Sequence, residues 1–211
     1  MIGEEINRKR YISFGILFLG LQVLAIVRNL SSDYFSFFWY CDFTPVLFAL
    51  FFFIRNNQAI KGLLNIGLLA QLGFVILFLI KLFFGVSLFG FDTDFPLNFY
   101  YITITIVLHL STLFVFILTY KIKPEKTSLI YSFVFLSLIY LTVIVFTSPS
   151  YVSSTNYNYI YHADIFPNVP HYTQLWTVLA FTLVVLPTYF FQIYVYEFHR
   201  KGRERKIKGN K

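Results

Sequence analysis

Apolar positions along the chain gather into six runs: 11–27, 34–54, 63–84, 97–120, 128–147 and 174–198. Each is near the ~20 residues needed to cross the hydrocarbon core of a bilayer as a helix. The connections are short, except for 148–173. That segment is polar and aromatic and holds five tyrosines, Tyr151, Tyr157, Tyr159, Tyr161 and Tyr172, with Phe166. Ring density of this order predicts an ordered lid over the bundle rather than a loose linker. The pattern predicts an all-α integral membrane bundle of six transmembrane helices in one domain.

Charge supplies the orientation. Fifteen of the 17 basic residues fall before the first run, after the second, after the fourth and in the tail, leaving Arg28 and Lys81 elsewhere. Arg55 and Lys61 are assigned to the second connection, and Lys121, Lys123 and Lys126 to the fourth. An excess of Lys and Arg marks the cytoplasmic side, so both termini are expected in the cytoplasm of a cell membrane. Run 11–27 is read as an uncleaved helix, because "LAIVRNL" is no small-residue cleavage site. The basic tail, 199–211, suits anionic lipid headgroups rather than nucleic acid. The Asn29-Leu30-Ser31 sequon lies against the membrane and is given no weight.

Composition agrees with the pattern. The 211 residues are 57% hydrophobic and 13% charged, about half the charge of a soluble domain of average composition. A single cysteine excludes an internal disulfide.

Polar groups in the runs are costly and tend to face the bundle interior. They are Asp42, His109, Lys81, Asn65 and Gln71, joined by Cys41 for its reactivity. Cys41, Asp42, Thr44 and Pro45 follow closely in "FWYCDFTPVLF". Pro45 has no N–H to give the carbonyl of Cys41, so a break in the helix is expected there. Cys41 lies roughly 9 Å below one membrane edge and His109 roughly 18 Å, at 1.5 Å per residue. A thiol needs a base to act as a nucleophile, and His109 is the membrane-embedded histidine able to serve. Asp42 would orient that histidine. The plainer alternative is a buried Cys beside a proline kink, with His109 satisfied across a helix interface. In the long loop, His162, Asp164 and His171 have metal-ligand chemistry, but their spacing fits no strong signature and no metal is assigned. No cofactor is expected.

The order "FWYCDFTPVLFALFFFIRN", "IVLHLSTLFVF", "VFTSP", "NYNYIY" and "VLPTYFF" resembles an uncharacterised family of six-helix prokaryotic integral membrane proteins. More remotely, the layout is similar to YwaF-like membrane proteins and to the androgen-induced membrane lipid hydrolase and acyltransferase group. That resemblance implies acyl transfer or hydrolysis on a lipid-like substrate, with Cys41 at the nucleophile position and His109 at the histidine. Thr44 is then a spare nucleophile or a substrate contact, because the residues after Cys41 differ from either family's local pattern. Asn156, Asn158 and Gln71 are expected to supply polar contacts to the substrate, and Asp42 to hold His109 or bind a headgroup. The alternative class is a non-catalytic membrane subunit or a protein that binds a small amphiphile. Membrane lipids are the expected partners in either case.

Overall fold

The computed structural model describes residues 8–31, 39–86, 99–146 and 170–209. Among them every regular element is helical: α1 (Arg8–Ser31), α2 (Tyr40–Phe53), α3 (Asn57–Phe84), α4 (Phe99–Thr119), α5 (Lys126–Phe146), α6 (Tyr172–Ala180) and α7 (Leu186–Gly209). A π turn, Phe181–Val185, joins α6 to α7, so Tyr172–Arg205 forms one rod of 34 residues. Pro187 explains the π turn. It cannot donate to the preceding turn, and the helix re-registers so that Leu186 N–H bonds the carbonyl of Phe181.

Five helices (α1, α3, α4, α5 and the α6–α7 rod) are long and apolar enough to cross a membrane. The described part of the second run is shorter, with 14 residues in α2. Helix α3 starts earlier than hydropathy predicts, at Asn57, because Asn56 caps it: the Asn56 side chain accepts the Ala59 N–H at 3.0 Å. Lys61 therefore belongs to α3 and not to a connection, and it is buried. At the far end of α3, Gly85 takes a left-handed conformation (φ 66°) and returns its N–H to the carbonyl of Lys81.

Polar ties show which ends lie together. Tyr11 OH donates to Asn57 Oδ1 at 2.5 Å, joining the starts of α1 and α3. Gln58 donates to the Lys123 carbonyl and accepts from Glu125 N–H, joining the start of α3 to the α4–α5 connection. The rings of Tyr120 and His199 meet at 5.0 Å, which brings the second half of α7 to the same end. Arg8, Lys9, Arg10, Arg55, Lys121, Lys123, Lys126 and Arg200 thus share one end of the bundle, here the basic end.

The core is aromatic where α1 meets α2. Phe18 packs on Phe48 at 5.3 Å and on Phe52 at 5.6 Å between ring centroids. Between α3 and α5 the backbones approach closely instead. A Cβ at Gly62 would lie 2.6 Å from the Tyr131 Cβ and 3.0 Å from the Ser128 carbonyl oxygen. Small residues allow such contacts where lipid gives helices no hydrophobic reason to associate. Asn65 binds the seam: its Nδ2 donates to Ser132 Oγ at 3.1 Å, and its Oδ1 accepts from Gln192 Nε2 at 2.6 Å.

Candidate functional site

At the end opposite the basic one, α1 finishes while α2 and α4 begin. Arg28, the cation left on that side by the sequence reading, is 3% exposed and forms an ion pair with Asp42, which is fully buried. Arg28 Nη1 also donates to Thr105 Oγ1 at 3.2 Å, and its Nε and Nη2 donate to Asn29 Oδ1 at 3.0 and 2.9 Å. Its guanidinium lies over the Tyr101 ring, 5.3 Å from the centroid. Asn29 Nδ2 completes the set by donating to Asp42 Oδ2 at 3.2 Å. Both carboxylate oxygens and most guanidinium donors are thereby used, which a buried pair requires if attraction is to offset desolvation. Asn29 is fully enclosed in this network.

Helix α2 runs through Pro45 without interruption, in place of the expected break, and a residue of α1 braces that turn. Gln22 Nε2 donates to the Asp42 carbonyl at 2.9 Å, while Gln22 Oε1 accepts the Val46 N–H at 3.1 Å. These are the two groups that a regular turn joins directly, so the Gln22 amide braces the turn that holds Pro45. Gln22→Leu would leave a carbonyl and an N–H unpaired in an apolar setting, each worth about 1–3 kcal/mol. The expected outcome is a lower unfolding midpoint in micelles, with much of the loss restored by Gln22→Leu/Pro45→Ala. An unchanged midpoint for Gln22→Leu would show the bridge to be idle.

Cys41 is partly buried, and its Sγ donates to Asp42 Oδ1 at 3.6 Å. Thr44 is buried, and its hydroxyl donates to the Tyr40 carbonyl of its own helix. Tyr40 in turn gives its hydroxyl to the Leu63 carbonyl at 2.6 Å, joining α2 to α3.

His109 sits one turn along α4 from Thr105. Its Nδ1 lies 2.7 Å from the Thr105 carbonyl oxygen. A carbonyl only accepts, so Nδ1 carries the proton and neutral His109 presents Nε2 as an acceptor. The ring stacks on Phe74 of α3, with centroids 3.8 Å apart and planes at 10°. Nε2 has no hydrogen-bond partner among the described residues.

Gln71 lies on the same face of α3 as Phe74 and Gly67. A Cβ at Gly67 would stand 2.6 Å from Tyr40 Cε1 of α2 and 3.0 Å from Thr112 Cγ2 of α4, so this face is turned toward α2 and α4, and Phe74 meets α4 at His109. Gln71 is buried, and neither of its amide atoms has a partner among the described residues. The structure thus brings Cys41 and Asp42 together with Arg28, Asn29 and Thr105, and sets His109 and Gln71 along the α3–α4 interface. The expected link from Asp42 to His109 is absent among the described residues: Asp42 is committed to Arg28 and Asn29, and His109 to Thr105. Nor does Cys41 bond to His109 there. Asn156, Asn158, His162 and Asp164 lie outside the described residues. His171 stands exposed before α6, and no cluster of three His, Cys, Asp or Glu is found among the described residues.

The sequence reading missed Arg28 and Gln22 as interior groups. Arg28 lies just past the first apolar run and Gln22 within it, and both face an intramembrane Asp or proline on the next helix. A search for a partner to Asp42 on the neighbouring helix would have found Arg28. No protein-family model matches the chain, and no curated protein or solved structure is significantly similar to it.

Proposed function

We propose that the chain is a polytopic membrane protein that holds a small, polar-headed amphiphile between α3 and α4. In this reading Gln71 and His109 Nε2 bind the head, and the Arg28–Asp42 network fixes the helices around it. One observation carries it: among the described residues the buried Gln71 amide has no partner at either atom, and His109 on the same interface spends only Nδ1 on Thr105, whereas Asp42, Asn29 and Asn65 are well provided. Buried polar groups without partners point to a ligand or to water. An amide and an imine nitrogen suit a head bearing hydroxyl and carbonyl groups. The experiment is retention of lipid by the purified protein. Gln71→Leu and His109→Phe are expected to lose a bound amphiphile that Cys41→Ala keeps, and equal retention by all four proteins would remove the reading.

The acyl-transfer reading is supported by one specific feature, the tautomer of His109. With Nδ1 protonated, Nε2 is the form a general base needs. In such a step the Cys41 sulfur attacks an acyl ester, its proton passes to His109 Nε2, and the C–O bond breaks as that proton moves to the leaving alkoxide. Water then cleaves the thioester. The thiol first has to leave Asp42 for His109. Loss of turnover in Cys41→Ala, with amphiphile still bound, would favour this chemistry over binding alone.

The basic end is proposed to face the cytoplasm of a cell membrane, with six crossings and both termini inside, on the strength of the positive-inside rule. A cysteine placed at Arg205, in a Cys41→Ala background, is expected to resist an impermeant thiol reagent in intact cells. Labelling from outside would reverse the topology.

A further inference from the structure

Lys61 is 1% exposed, and a buried ammonium requires a partner. Among the described residues it has no carboxylate, carbonyl or hydroxyl within hydrogen-bonding distance. Its one partner among them is the Phe116 ring, 5.9 Å away. Ile60 and Leu64, its neighbours on α3, are fully buried and apolar. A second group in the same layer is also unpaired among the described residues. Gln192 of α7 spends its Nε2 on Asn65, one turn from Lys61, and its Oε1 is buried with no partner among them. Phe116 links the two, since its ring meets that of Phe191 at 5.6 Å. A layer between α3, α4 and α7 therefore holds a cation with three N–H donors and a lone carbonyl acceptor. Lys61 stands about 6 Å inside the start of α3 by helical rise, near the level where lipid phosphates stand.

We propose that Lys61 and Gln192 form a second binding site, for an anionic phosphate ester that also bears a hydroxyl. Lys61 neutralises the phosphate as a point charge, and Gln192 Oε1 accepts the hydroxyl. The phosphate comes from a hydroxyl-bearing phospholipid or from a free phosphate ester. The site stands apart from Gln71 and His109, so it does not depend on the reading given to them.

The test uses the full chain in micelles. Phosphatidylglycerol, phosphatidylcholine and glycerol phosphate are offered separately, and bound molecules are counted by native mass spectrometry. High salt before analysis removes lipid attracted only by the exposed basic tail, because exposed charges are screened and enclosed ones much less so. Wild type and Lys61→Arg are expected to keep one phosphatidylglycerol at least about tenfold better than Lys61→Met, where tenfold corresponds to about 1.4 kcal/mol. Gln192→Leu is expected to reduce retention of phosphatidylglycerol to that of phosphatidylcholine. Glycerol phosphate that displaces the lipid identifies a free ester as sufficient, and failure to displace it assigns the lipid as the source. Equal retention by wild type and Lys61→Met overturns the site. If Lys61→Met does not fold, equal retention of the two lipids by wild type overturns it as well. A Gln71→Leu/His109→Phe protein is expected to keep this phosphatidylglycerol, which separates failure here from failure at the other end.

Discussion

Arg28→Met is expected to destabilise the protein by about 3–5 kcal/mol, and Asp42→Leu by a similar amount, because each leaves the other charge buried and unpaired. The partners are fixed: Arg28 joins Asp42, Asn29 and Thr105, and Asp42 is fully buried. The double variant Arg28→Met/Asp42→Leu is expected to be more stable than either single one. Replacing a buried pair with apolar residues is often nearly neutral, although Asn29 and Thr105 would here lose partners. Unfolding of the four proteins in mixed micelles gives the coupling directly. Strictly additive losses would mean that the pair is not coupled and that the α1–α2–α4 end is held by packing alone.

The second large effect separates stability from binding. Gln71 is buried with both amide atoms unpaired among the described residues. Such a group costs the empty protein about 1–3 kcal/mol. Gln71→Leu has similar volume and removes the unpaired groups, so the ligand-free protein is expected to melt higher. The same change is expected to weaken amphiphile binding by at least about tenfold, near 1.4 kcal/mol. His109→Phe keeps a ring against Phe74, 3.8 Å from the His109 ring in the native protein, and gives up the acceptor at Nε2. Opposite signs in melting and binding for Gln71→Leu distinguish a residue kept for a ligand from one kept for packing. A substitution that lowers both measures would assign Gln71 to packing.

Helix count and chain layout were legible because hydropathy alone sets a transmembrane helix. The basic end was legible too: the residues grouped by charge in the sequence are brought together by Gln58, Tyr11 and Tyr120 in the fold. Pairing was not legible. Asp42 was assigned to His109 because both are polar and embedded, but α2 and α1 are consecutive antiparallel helices, and Arg28 lies at the matching depth. Lys61 was placed in a connection because hydropathy delays the start of α3, whereas the Asn56 cap begins the helix earlier and carries Lys61 inside. The role of Gln22 depends on the turn that holds Pro45. The sequence predicts a break there, but not that a neighbouring amide braces the turn and the helix continues. The tyrosine-rich segment 148–173 lies mostly outside the described residues, and the lid reading stands as an expectation.

The central claim is that Gln71 and His109 serve a bound amphiphile. Its most direct test is native mass spectrometry of the wild type and of Gln71→Leu/His109→Phe, both taken from the same membranes without added lipid. Apart from the phospholipid held at Lys61, which both proteins keep, the account predicts one further retained amphiphile on the wild type and a loss of at least about tenfold of it on the double variant, with the variant still folded and melting no lower than His109→Phe alone. A wild type that carries no such further amphiphile, or a double variant that carries it in the same amount, would contradict the claim.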